Sequence, residues 1–167
     1  MKNDYYLSEG ILYIVMSSGD VAKVNARNYS KVKNYRWRCL TKPNGKKYAI
    51  TNVEVSEGKR KTLYLHRAIL DKAKSEAIDH INNDGLDCRN NNLRECTLQQ
   101  NNFNRGKTAN NQSGYKGVTW RKDCKKWQSV IHINKKKKHL GYFDTIEHAY
   151  QAYVQACYAT RGEFAHC

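Results

Sequence analysis

The run Ala77-Ile78-Asp79-His80-Ile81-Asn82-Asn83-Asp84-Gly85, continued by Asn92-Leu93-Arg94-Glu95-Cys96-Thr97-Leu98-Gln99-Gln100-Asn101, decides the fold. Ala77-Ile78 begins a short apolar run that ends on an adjacent carboxylate and imidazole, and Leu93 to Cys96 forms a second run. Between them, Asn82-Asn83-Asp84-Gly85 is strong turn chemistry. Thr97-Leu98-Gln99-Gln100 has the Thr-x-x-Gln form of a capping box, which predicts a helix just after Thr97 with Asn101 about one turn in. The local order is therefore strand, loop, strand, helix. The Asp79 carboxylate and the Asn101 carboxamide are hard oxygen donors suited to a magnesium-like ion. His80 beside them can take a proton from water.

The chain has 167 residues, with 30 Lys+Arg against 15 Asp+Glu, a formal net charge of +15. That balance favours a polyanion partner, nucleic acid before anionic membrane. No apolar stretch approaches the roughly 20 residues that span a bilayer. Met1-Lys2-Asn3-Asp4-Tyr5-Tyr6 has no hydrophobic leader core, so an intracellular protein with no membrane partner is expected. Cys39, Cys88, Cys96, Cys124, Cys157 and Cys167 are scattered without a C-x-x-C pair, so free thiols are expected. The alternative is a metal site using Cys88 and Cys96, which flank the Asn-rich run.

Around this stretch the pattern divides. Residues 1–70 read as short strands: Ile11 to Val15 and Val21 to Val24 about the turn Ser17-Ser18-Gly19-Asp20, then Tyr35 to Leu40, Tyr48-Ala49-Ile50 and Leu63 to His66. A short helix is expected from Arg67 to Lys74. Residues 106–113 are polar and read as a linker. Beyond them, Tyr115 to Arg121, Trp127 to Ile133 and Lys138 to Phe143 are predicted as a three-stranded meander. Asp144-Thr145 then caps a helix from Ile146 to about Thr160, which Gly162 stops. Alternation puts Trp127, Ser129, Ile131 and Ile133 against that helix and leaves Gln128, Val130, His132 and Asn134 open. Lys137 and His139 are expected to join the open face, and Leu140 and Tyr142 the core. The run Lys135 to Lys138 is either a solvated hairpin tip or a phosphate contact, and the scarcity of nearby acids favours the second.

Two resemblances follow from these residues. Leu65-His66-Arg67, Ile78-Asp79-His80-Ile81, Asn91-Asn92-Leu93-Arg94 and Thr97…Asn101 resemble, in order, the HNH endonuclease family in its variant with a terminal Asn. Gly114-Tyr115-Lys116-Gly117-Val118, Lys126-Trp127, Leu140-Gly141-Tyr142-Phe143-Asp144-Thr145 and Ala149…Ala152-Tyr153 resemble the plant APETALA-two/ethylene-response-factor DNA-binding domain. Their pairing is similar to HNH homing endonucleases of phages and mobile introns, and implies a cytoplasmic, nucleoid-associated protein of a bacterial or phage-infected cell.

The fold so implied is α+β: a β-rich N-terminal module with the nuclease over residues 1–105, its ββα-metal core near 75–105, and a three-stranded antiparallel sheet on one helix over 114–167. The HNH likeness implies His80 as general base, Asn92 as the residue orienting it, and Asp79 with Asn101 as ligands of one divalent ion. Asn101, where other members carry a nitrogen ligand, favours Mg2+ (or Mn2+) over zinc. The second likeness implies that Lys116, Thr119, Arg121, Val130, His132, Lys137 and His139 meet duplex DNA in its major groove. Several of these positions are arginine in plant members, so a looser or a different base preference is expected here. His66 and Arg67 are candidates for phosphate contact.

The bland alternatives carry weight residue by residue: an isolated Asp-His pair is ordinarily a loop, and Asn-rich runs are ordinarily turns and caps. Their conjunction with ordered strands and a cap favours site-specific cleavage of double-stranded DNA. The runner-up is a catalytically inactive DNA-binding transcriptional regulator on the same scaffold. RNA binding fits the charge but not the absence of stacking motifs. One site per chain points to a monomer that nicks, with a dimer as the alternative.

Overall fold

The computed structural model describes residues 3–70, 76–103, 110–134, 136–165 and 167. The last part of the helix expected to Lys74, the first half of the 106–113 linker and Lys135 of the lysine run lie outside them. The chain forms two compact units, Met1–Thr97 and Leu98–Cys167. Among the described residues the architecture is α+β, with four small sheets and four α-helices. No helix there is long and apolar enough to cross a membrane.

In the first unit, β1 (Asp4–Ser8), β2 (Ile11–Val15) and β3 (Val21–Asn25) form an antiparallel meander. Alternation turns Leu12, Ile14, Ala22 and Val24 inward. A short α1 (Tyr29–Val32) follows, and the buried Trp37 closes over it by donating Nε1–H to the Val32 carbonyl at 3.1 Å. A second antiparallel sheet comprises β4 (Arg38–Thr41), β5 (Lys47–Ser56) and β6 (Lys59–Tyr64), in that order.

The chain then turns directly into α2 (Leu65–Ile69), so His66 lies in a helical first turn and not on the expected strand. The β5–β6 ladder ends where Tyr64 pairs with Ile50, and the next residue already belongs to the helix. Leu65, His66 and Ile69 share the buried face of this helix. β7 (Ala77–His80) and β8 (Leu93–Cys96) complete the unit as a two-stranded antiparallel ribbon. All four β7 residues are buried, so neither of its faces meets solvent.

The second unit begins with α3 (Leu98–Phe103), the helix expected after Thr97. The unit boundary thus falls at Thr97 and not at 105, for reasons visible in the contacts of α3. Gln99 Nε2–H donates to Asn134 Oδ1 at 2.9 Å, Lys116 Nζ to the Phe103 carbonyl at 2.9 Å, and the Arg161 guanidinium lies 4.6 Å over the Phe103 ring. β9 (Val118–Arg121), β10 (Lys126–Ile133) and β11 (Lys136–Phe143) form the expected sheet, with β10 central. α4 (Ile146–Arg161) starts at Thr145, whose Oγ1 accepts the His148 amide at 3.3 Å. Ile131, Tyr153 and Cys157 form the core between helix and sheet.

Gly117 is where backbone and helix meet most closely. Its φ is +77°, and a Cβ there would overlap the buried Tyr153 ring and sit 2.6 Å from the Val130 carbonyl oxygen. Gly117→Ala is therefore expected to destabilise the second unit by about 2–4 kcal/mol. Denaturation followed by circular dichroism of the Trp120–Trp127 pair, whose rings lie 5.1 Å apart, measures this. A midpoint unchanged from the parent would mean that Tyr153 does not pack on the glycine.

Candidate functional site

The ribbon β7–β8 sets the geometry. Cross-strand pairing puts Asp79 opposite Arg94 and His80 opposite Leu93. The buried Asp79 carboxylate needs a counter-charge, and Arg94 supplies it: Nε and Nη2 both donate to Oδ2, at 2.9 and 2.7 Å. His80, the next residue, points to the other face, where the loop following β7 returns.

That loop is fixed by its own polar side chains. Asn92 accepts the Asn82 amide on Oδ1 at 3.0 Å and donates Nδ2–H to Asn82 Oδ1 and to the Asp87 carbonyl, at 2.9 and 2.7 Å. Asp87 receives a fork from Arg89, at 2.8 and 2.6 Å, and Nδ2–H of Asn82 at 3.0 Å. β3 clamps the loop from outside, since Lys23 N–H donates to the Leu86 carbonyl and Cys88 N–H to the Lys23 carbonyl, both at 2.8 Å. Gly85 sits so close to β5 that a Cβ would lie 2.7 Å from the Tyr48 ring. The result is a Cys88 thiol delivered to His80, with Sγ 3.8 Å from Nε2.

His66 arrives from α2 on the same spot. Its ring centroid lies 4.9 Å from that of His80, edge to face, and Tyr48 stands about 6 Å from both. One ligand atom from each of His66, His80 and Cys88 falls within 4.8 Å of the others, and all three residues are buried. Burial pushes the His66 imidazole down to about 3, helped by His80 and Arg67. Burial likewise lowers His80 to about 4, against the pull of Asp79, Asp84 and Asp87. Both rings are thus neutral at pH 7 and available as bases or ligands. The Cys88 thiol is pushed up by burial, then by Asp87 and Asp84. Burial alone would raise Asp87 as well, but its bonds from Arg89 and Asn82 outweigh it and hold the acid ionised.

The residues read from the sequence divide accordingly. His80 and His66 converge, whereas Asp79 turns to the opposite face of the ribbon and its Arg94 partner. Asn92 is buried nearby, but its carboxamide is committed to Asn82 and Asp87, so it shapes the loop and does not orient the imidazole. Asn101 lies on α3, in the second unit. Arg67 is exposed and donates to the Glu76 carbonyl at 2.9 Å. Cys88 converges with the two histidines and not with Cys96, which ends β8 opposite Ala77. Arg94 lies in the HNH-like stretch but carried no assigned role, and Tyr48 gave no sequence signal beyond lying in a strand. As donors, two ring nitrogens and a sulfur suit a thiophilic ion. A hard ion would have Asp79 as ligand, in competition with the Arg94 fork on Oδ2.

In the second unit, one sheet face gathers nearly all the predicted contact residues. Register pairs Arg121 with Lys126, Thr119 with Gln128, Val130 with His139 and His132 with Lys137. Tyr142 departs from expectation. The ladder slips between Ser129 and Val130, leaving Leu140 as an extra residue, and the slip reverses the facing beyond it. Leu140 still packs on the core, whereas Tyr142 stands on the open face, 46% exposed, 4.6 Å from the His139 ring and within 3.4 Å of Gln128 Nε2. Lys116 also departs. It is partly buried, donates to the Phe103 carbonyl, and is lowered by desolvation and by Arg161. Arg121 forks onto Asp123 at 3.1 and 3.0 Å at the edge of the face.

Both histidines of the first unit have folded pKa values below the ordinary 6.5, so in the acid range the unfolded chain binds more protons. Their contribution to stability is full above about pH 6.5 and is lost as pH falls toward 4 for His80 and 3 for His66. His80 alone implies a loss of roughly 2 kcal/mol by pH 5. Chelator-treated protein should show a urea midpoint, followed by Trp37, that falls steadily between pH 6.5 and 5. A flat profile there would show that the pair is solvated.

No protein-family model, curated protein or solved structure gives a significant match to this chain.

Proposed function

We propose that the chain is a divalent-ion-dependent endonuclease of the HNH kind that hydrolyses a phosphodiester bond of double-stranded DNA, with its second unit as the DNA-reading part. The observation that carries the proposal is the Asp79–His80 pair on a buried two-stranded ribbon, its imidazole kept neutral by burial. A neutral imidazole can accept the proton of an attacking water, which a protonated one cannot. In this proposal Asp79 is a ligand of a magnesium-like ion, which would neutralise charge on the scissile phosphate and stabilise the leaving oxygen. Asn92 keeps the loop beyond His80 closed, and so acts on the base through its backbone surroundings.

The net charge of +15 and the open sheet face support DNA as the substrate. A strand-built face fits the major groove, where the edge groups of all four base pairs differ. On it Gln128, His132 and His139 offer donors and acceptors for base edges, Val130 an apolar contact and Lys137 a phosphate contact, and Lys136 and Lys138 are exposed beside it on the edge strand as further phosphate contacts. A catalytically silent DNA-binding regulator is the second reading, and one observation favours it: Oδ2 of Asp79 already receives both donors of the Arg94 fork.

Supercoiled DNA incubated with the protein and magnesium should pass to the nicked form, and His80→Ala should slow this by about 10²-fold or more while DNA is still bound. Binding without cleavage by the parent protein, with magnesium and with manganese, leaves the regulator. Binding should also weaken with salt, with a log–log slope near about −3 if the three lysines each neutralise a phosphate. A slope near zero would remove the lysine edge from the DNA surface.

A further inference from the structure

We propose that His66, His80 and Cys88 form a three-ligand binding site for a thiophilic divalent ion of the zinc type, inside the first unit. The three ligand atoms lie within 4.8 Å of one another, and Cys88 Sγ is 3.8 Å from His80 Nε2. A tetrahedral ion with metal–nitrogen bonds of about 2.0–2.1 Å and a metal–sulfur bond of about 2.3 Å holds its ligand atoms roughly 3.3–3.6 Å apart. The observed sulfur–nitrogen separation needs to shrink only by tenths of an ångström. Two imidazoles and a thiol are the donor types such an ion selects, and a fourth position would remain for water.

The backbone is built to keep these donors in place. Each comes from a different element: α2, the end of β7, and the loop that β3 clamps at Leu86 and Cys88. Asp79, Asp84 and Asp87 favour positive charge at His80 against the opposing Lys46, although Asp79 and Asp87 also carry arginine partners. Binding forms a metal–sulfur bond and releases the thiol proton to solvent, which converts the costly buried thiolate into a ligand. The site goes beyond the nuclease proposal and does not rest on it. The two uses of His80 exclude each other at any moment, because a ring coordinated through Nε2 is no longer a competent base.

The test uses the full chain, reduced and freed of metal with a chelator, and titrated with Co2+. The expected result is one equivalent bound, with a thiolate-to-cobalt charge-transfer band and the visible bands of a tetrahedral ion, both removed by Zn2+. Cys88→Ser should abolish the charge-transfer band and weaken affinity at least tenfold, whereas Cys96→Ser and Asn101→Ala should keep both. No band, or an unchanged band in Cys88→Ser, overturns the site. Should Cys88→Ser fail to fold, long-range proton–nitrogen spectra of the unsubstituted protein decide. Zn2+ must shift ring nitrogens of both His66 and His80, and unshifted rings overturn the proposal. Magnesium-supported cleavage without a cobalt band removes this site and leaves the nuclease; a cobalt band without cleavage leaves this site and removes the nuclease.

Discussion

Burying a carboxylate in a strand with no exposed face is the constraint around which the first unit is arranged. Asp79 is only 4% exposed, and an ionised carboxylate in such a place is costly unless it is paired and hydrogen-bonded. Antiparallel register answers this by putting Arg94 directly across the ribbon. Because the guanidinium lies on the Asp79 side, His80 faces the opposite way, into a space lined by Tyr48 and His66. The ion pair and the histidine pair are therefore two consequences of one strand's pleat.

The loop 81–89 solves a second problem of the same kind. A turn folded back over a buried ribbon carries backbone groups that cannot all reach water, so polar side chains must satisfy them. Asn82, Asp84, Asp87 and Asn92 do this with short bonds inside the loop. Such local networks give a loop one conformation where an apolar one would have several. Rigidity here has a chemical effect: it presents the Cys88 sulfur to a histidine nitrogen without a further side chain to steer it.

Much of this was legible in the sequence, and the rest was not, for identifiable reasons. The order strand, loop, strand, helix followed from Ala77-Ile78, Asn82 to Gly85, Leu93 to Cys96 and the Thr97 cap, all local signals. The β9–β11 meander and α4 were equally local. Cross-element facts escaped: that α2 carries His66 to His80, that α3 packs against Lys116 and Arg161, and that β3 clamps Cys88. Tyr142 escaped because one extra residue in β11 inverts a period-two pattern beyond it. Asn92 was identified as a site residue, yet with the wrong partner, because spacing fixes proximity and not the direction of a carboxamide.

The burial that keeps the His80 imidazole neutral also limits what it can reach. At 6% exposure the imidazole meets little solvent, whereas hydrolysis needs a water on one side of the ring and a phosphate beyond it. The loop next to it lines an open cleft of about 450 Å³, bounded by Asn44 to Lys47 and by Asn83 to Leu86. Lys46 bridges the two walls through a 3.1 Å bond to Asn83 Oδ1. The nuclease proposal therefore asks for water and phosphate at an imidazole that the loop covers, whereas the thiophilic-ion site uses the buried arrangement as it stands.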